Sequence, residues 1–104
     1  MANFSLTAEP TFTAKVAIPV PGKKATNVEF TFKWRNGDDL KDLVDGLGNY
    51  KSDTDAILDM VSGWELKDVF DYENVEKMVK NYTGSASAII NKYLSENSGA
   101  RVGN

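Results

Sequence analysis

The chain has 104 residues, 41% hydrophobic and 26% charged, and carries a formal net charge of −3. That length and composition suit one soluble domain around a single hydrophobic core. Neither cysteine nor histidine is present, which excludes disulfides, thiolate or His-rich zinc sites, and catalysis through a Ser-His or Cys-His pair.

The charge is unevenly spread. Residues 1–35 hold five basic and two acidic groups, residues 36–76 hold three basic and twelve acidic, and residues 77–104 hold four basic and one acidic. An acidic block of this kind is either a solvated helix face or a surface that steers a basic partner. The basic residues form no cluster, so nucleic acid is not an expected partner. No apolar run approaches the ~20 residues needed to cross a bilayer. Met1-Ala2-Asn3-Phe4 lacks the basic and apolar regions of a secretion signal, so a cytosolic, non-membrane protein is expected.

In chain order, Phe4 and Leu6 are candidates for a short strand. Phe12, Ala14, Val16, Ile18 and Val20 then alternate with largely polar residues, the period of a strand with one buried face. Pro21-Gly22-Lys23-Lys24 marks a turn. Val28, Phe30, Phe32 and Trp34 alternate with Glu29, Thr31 and Lys33, giving a second strand that pairs with the first as an antiparallel hairpin. A lone hairpin is marginal in water, so its apolar face needs a cover of helices.

Asn36-Gly37-Asp38-Asp39 breaks the strand and supplies capping residues. Leu40, Leu43, Val44 and Leu47 follow at helical spacing, predicting a helix over about 38–46. Ser52 or Asp53 caps a second helix, with Ile57, Leu58 and Val61 on one face. Gly63 falls where this helix should end in a left-handed residue, and Trp64 where an apolar side chain folds back on the last turn. Trp64 is thus either an aromatic plug or an anchor offered to a partner. Phe70 precedes Asp71, an N-cap with Asn74 three residues on, and Phe70 with Val75 fits a hydrophobic staple. Val75, Met78, Val79 and Tyr82 continue that helix. Tyr82-Thr83-Gly84-Ser85 breaks it, and Ala86, Ile89, Ile90, Tyr93 and Leu94 form the last. The four tyrosines, Tyr50, Tyr72, Tyr82 and Tyr93, are expected to pack between helices with wet hydroxyls.

The expected fold is therefore α+β: an N-terminal antiparallel hairpin on about four short helices. Residues 1–97 form one domain and 98–104 a flexible tail.

Chemistry is hard to find in this sequence. Asp38, Asp42 and Asp45 can share a helix face and could hold a hard cation, but the extended loop and bidentate glutamate of a calcium site are missing. Acids at a helix N-terminus are favoured without a metal. Pro21-Gly22-Lys23-Lys24 lacks the second glycine and the Lys-Ser/Thr ending of a phosphate loop. No metal or other cofactor is expected. A carboxylate-dependent hydrolase using Asp38, Asp39 and Asp42 would need a cleft that nothing in the sequence suggests. The acidic belt Asp38, Asp39, Asp42 and Asp45, with Lys23 and Lys24 of the hairpin loop, is the candidate partner surface.

Two segments carry a family resemblance over about residues 28–104, "VEFTFKWRNGDDL" and "DTDAILDMVSGWELKDVFDYENVEKMVKNYTGSASAIINKYL". They resemble the tail assembly chaperones of long-tailed bacteriophages and prophages. In that family an acidic helix ends in Gly-Trp and is followed by a short turn, Phe, an N-cap, a helix, a Tyr-Pro-Gly-like break and a final helix with a Tyr. The matching positions are Gly63, Trp64, Phe70, Asp71, Tyr82, Gly84 and Tyr93. Thr83 departs from the pattern, standing where proline is common. The resemblance implies a non-enzymatic protein of the bacterial host cytoplasm. It would bind the tape-measure protein, keep it soluble, help recruit tail-tube subunits and be absent from the finished particle. Some family members also have a longer, frameshifted form. Self-association through a hairpin edge is compatible with this role. The competing reading is a virion structural part of the tail tube or head–tail joint.

Overall fold

The computed structural model describes residues 2–99; most of the expected tail, residues 100–104, lies outside them. Strands β1 (Thr11–Ile18) and β2 (Thr26–Lys33) form the expected antiparallel hairpin, with Thr11 opposite Lys33 and Ile18 opposite Thr26. Their even-numbered side chains turn inward: Val16, Ile18, Val28, Phe30 and Phe32 are all buried. Each such side chain contributes about 1.5–3 kcal/mol by leaving water. Trp34, at the end of the same apolar stripe, lies past the strand and is 40% exposed. The hairpin turns at Val20-Pro21-Gly22-Lys23, where Gly22 has φ +75° and the Lys23 N–H donates to the Val20 carbonyl at 3.0 Å. Proline followed by a positive-φ glycine is the signature of a type II turn.

Helix α1 (Gly37–Asp45) is capped by Asn36, whose side chain accepts from the Asp39 N–H, and a 3-10 turn at Leu47–Asn49 follows. Helix α2 (Asp53–Met60) is capped by Ser52 rather than Asp53. Helix α3 (Tyr72–Asn81) is capped by Asp71. Each such cap is worth about 1 kcal/mol. Helix α4 (Ser85–Asn97) closes the fold. Met60, Ile57, Val75, Ile89 and Tyr93 from these helices complete the core under the sheet.

The third strand is where the sequence reading goes wrong. Phe4 and Leu6 form no strand; they are 80% and 96% exposed. The third strand is β3, Val61–Trp64, antiparallel to β2 at the edge of a β1-β2-β3 sheet. Helix α2 does not end in a left-handed glycine. Its C-cap is Val61 in extended conformation, φ −117° and ψ 137°, and Gly63 is not among the positive-φ residues. The reason is burial: β-branched Val61 is 1% exposed, and the chain passes directly from helix to strand to place it opposite Phe32. Phe32 faces Val61 while Thr31 faces Gly63, so Ser62 is the extra residue of a bulge.

Candidate partner-binding surface

Trp64 ends β3 and is half-buried. Its indole packs edge-on to Phe70 at 5.1 Å and against Phe30 at 6.2 Å, and its N–H donates to the Asp68 carbonyl at 2.8 Å. The residue is thus a plug over the sheet that also holds the 65–68 turn, not a side chain folded onto the last turn of α2. Asp71 caps α3 as expected, accepting from the Asn74 N–H at 2.9 Å. Asn74 does not complete a capping box; its amide donates to the Val69 carbonyl at 2.7 Å, fixing the approach to the helix. Tyr82 is the C-cap of α3 and Gly84 the N-cap of α4. Thr83 therefore precedes an N-cap instead of occupying a first helical position, where proline would preorganise the helix. Gly84 has an ordinary φ of −88°; a Cβ there would sit 3.1 Å from Pro19 Cγ, so close approach of the hairpin accounts for it.

Beside Trp64 runs an apolar groove. One part is lined by Trp64, Leu66, Met78 and Tyr82, with Asp68, Asn74, Lys77 and Asn81 as its polar members. It continues through Leu66, Met78 and Tyr82 to Ile18, Val20, Thr26 and Val28 at the tip end of the hairpin. Leu66 and Tyr82 are 38% and 39% exposed. Lys23 and Lys24 are exposed on the loop next to Val20 and Thr26. Leu66 was not singled out by sequence, and Met78 was read only as an apolar residue of the helix at 72–81. A leucine alone in a charged turn, "ELKD", was the available signal.

The acidic belt lies elsewhere. Asp38, Asp39, Asp42 and Asp45 are exposed on α1, and Asp45 pairs with Lys41 at 3.1 Å. Asp39 and Asp42 border a shallow depression with Arg35, Tyr50 and Asp59. Since α1 follows β2 and Lys23 and Lys24 precede it, the belt and the lysines sit at opposite ends of an eight-residue strand, about 26 Å apart. The structure does not bring the two halves of the expected surface together.

The floor of that depression is a polar knot that the sequence did not reveal. Arg35 donates to the Tyr93 hydroxyl at 2.9 Å and the Asp59 carbonyl at 2.9 Å, and pairs with the Asp59 carboxylate at 3.0 Å. Tyr93 is fully buried, its hydroxyl donating to the Lys33 carbonyl at 2.7 Å, so the expected wet hydroxyl is absent at this tyrosine. Asn97 clasps the Arg35 backbone on both sides, at 3.0 and 2.9 Å. Burial disfavours the charge on Arg35, but the Tyr93 hydroxyl and the Asp59 carboxylate outweigh it and the guanidinium pKa is raised. Burial, together with a hydrogen bond to the Asp59 carboxylate, pushes the Tyr50 hydroxyl up to about 12. With both terminal nitrogens of its guanidinium bonded, the knot ties β2, α2 and α4 together. Among the described residues, no group of three or more acidic side chains is placed to hold a metal ion.

A model of the phage tail assembly chaperone family matches residues 1–104, the whole chain. The protein belongs to the phage tail assembly chaperone family. No curated protein and no solved structure matches it. The match extends beyond the region of the sequence motifs and takes in the first strand and the N-terminal segment of this chaperone-family chain. Among its described residues, no helix is long and apolar enough to cross a membrane.

Proposed function

We propose that this chain is a non-enzymatic assembly chaperone that binds the tape-measure protein and helps recruit tail-tube subunits to it in the cytoplasm of the bacterial host. Family membership supports a role in tail assembly. The observation that carries the finer reading is the groove, with Leu66 and Tyr82 left partly exposed beside Met78. An amphipathic helix lays its apolar face into such a groove, and a long helical protein without its tube exposes many such faces. Lys77 is offset by Asp68 in the groove's lining, while Lys23 and Lys24 at the hairpin tip favour acidic residues at that end of the helix. Asp38, Asp39, Asp42 and Asp45 form a second contact that steers a basic surface, assigned here to the tube subunit.

Co-expression tests the reading. The tape-measure protein should be soluble with the wild-type chaperone and should precipitate with a Leu66→Ser/Tyr82→Ser variant whose circular dichroism is unchanged. Equal insolubility with and without the wild-type chain would sink it. Mass spectrometry of purified particles separates it from a tail-tube or joining protein, because a chaperone should be missing from them.

A further inference from the structure

We propose that this protein forms a two-fold dimer in which the β1 edges pair antiparallel about Ala14 and the N-terminal arms are exchanged between copies. Strand β1 lies at the edge of the sheet. The Trp34 N–H donates to the Pro10 carbonyl, which fixes the phase: even-numbered residues of β1 bond to β2, and the backbone groups of Thr11, Thr13, Lys15 and Ala17 point away from it. An unpaired edge of this kind is a template for another strand.

The register follows from satisfying those groups. A two-fold axis at Ala14 sets Thr11 opposite Ala17 of the second copy and Thr13 opposite Lys15. Every outward N–H and C=O from 11 to 17 then finds a partner, and the two Lys15 side chains are not directly opposed. Pro19 lacks the next outward N–H and ends the ladder. Beside the edge, a cleft lined by Ala88, Asn91 and Ser95 leaves room on the helix side.

The arm identifies the occupant as a second copy. Phe4 and Leu6 are 80% and 96% exposed and precede β1 by only a few residues. In the same register Pro10 comes level with Ile18 of the second copy, and the arm that precedes Pro10 runs on to that copy's hairpin tip. There the arm turns under the sheet and sets Phe4 and Leu6 against Ile18 and Val20 at the tip end of the groove. Strand pairing alone buries little against the ~1,600 Å² of a standard interface; the two arms supply the missing apolar area. The arm seat overlaps the groove proposed for the client helix, so arm and client exclude each other there. That competition rests on the functional reading above, whereas the dimer does not.

The test uses the full chain alone. Sedimentation over a concentration series should reach twice the 11.4 kDa chain mass. Because the chain has no cysteine, single substitutions report the register. Ala14→Cys should oxidise to a covalent dimer, since opposed residues of a non-hydrogen-bonded pair lie ~4.5 Å apart, within disulfide reach. Lys15→Cys should not. Thr13→Pro removes an outward N–H at a position where an edge strand tolerates proline, and should give a folded monomer. Phe4→Ser with Leu6→Ser should weaken the dimer about a hundredfold or more while the fold persists. A wild-type monomer throughout the series, crosslinking at Lys15→Cys in preference to Ala14→Cys, or a dimer indifferent to the arm substitutions would overturn the proposal.

Discussion

The Tyr93 hydroxyl lies between the Lys33 carbonyl and the Arg35 guanidinium, in a residue with no exposed surface. Tyr93→Phe leaves the ring contacts and removes the oxygen, so the Lys33 carbonyl loses a buried donor. The expected loss is about 1–3 kcal/mol, the cost of an unsatisfied buried group, read as a lower urea midpoint at unchanged slope. Ser85 is the opposite case: its hydroxyl is buried without a hydrogen-bond partner among the described residues. Ser85→Ala removes that polar group and improves helix propensity, and should stabilise by about 1 kcal/mol, read as a higher urea midpoint. Tyr50 makes stability pH-dependent at the alkaline end. Its folded pKa is raised from the ordinary 10.0 to about 12, so the neutral hydroxyl is the form the fold favours. Its contribution is complete below pH 10 and is lost as pH rises through 12. Melting curves of Tyr50→Phe should therefore fall less steeply than wild type over that range.

At the level of elements, the two-residue period marked β1 and β2, helical spacing marked the helices, and side-chain caps marked the starts of α1, α2 and α3. These signals are local, and a short window of sequence contains each of them. Strand β3 was not legible because four residues with a glycine carry too little period. The same "SGW" also satisfies the rule for a helix stop. What decided between them was the tertiary need to bury Val61 opposite Phe32, which no local pattern contains. The knot around Arg35 was hidden for the same reason, its bonds joining residues 24 to 62 positions apart. The acidic belt was legible as charge, but its separation from Lys23 and Lys24 became apparent only once β2 stood between them. The corrected role of Gly63 has a consequence. A Cβ there meets nothing within 4 Å and the backbone is not left-handed, so Gly63→Ala should stabilise by about 0.5–1 kcal/mol through the unfolded chain. A left-handed glycine would give the reverse sign, so thermal denaturation of this one variant distinguishes strand from helix stop.

Across the whole molecule, charge is segregated along the long direction of β2, with lysines beside the hairpin tip and carboxylates on α1. The ~26 Å between them exceeds a Debye length of ~8 Å at physiological salt, so on the proposed function the two ends should act on partners independently. Neutralising Asp38, Asp39, Asp42 and Asp45 to asparagine changes the net charge from −3 by four units, to +1. Folding should survive, because all four side chains are exposed. The loss should be about 1–2 kcal/mol, mainly from Asp38 and Asp39 no longer facing the positive end of α1. The Lys41–Asp45 pair is solvent-exposed and adds little. Association with the tail-tube subunit should slow about tenfold or more at low salt, as expected when a steering field is removed. At high salt the wild type should slow to meet the variant, since screening removes the same field. Binding to the tape-measure protein, assigned to the groove at the other end, should be unaffected. Stopped-flow association at two ionic strengths reads both effects, and a variant as fast as wild type at low salt would leave α1 without a steering role.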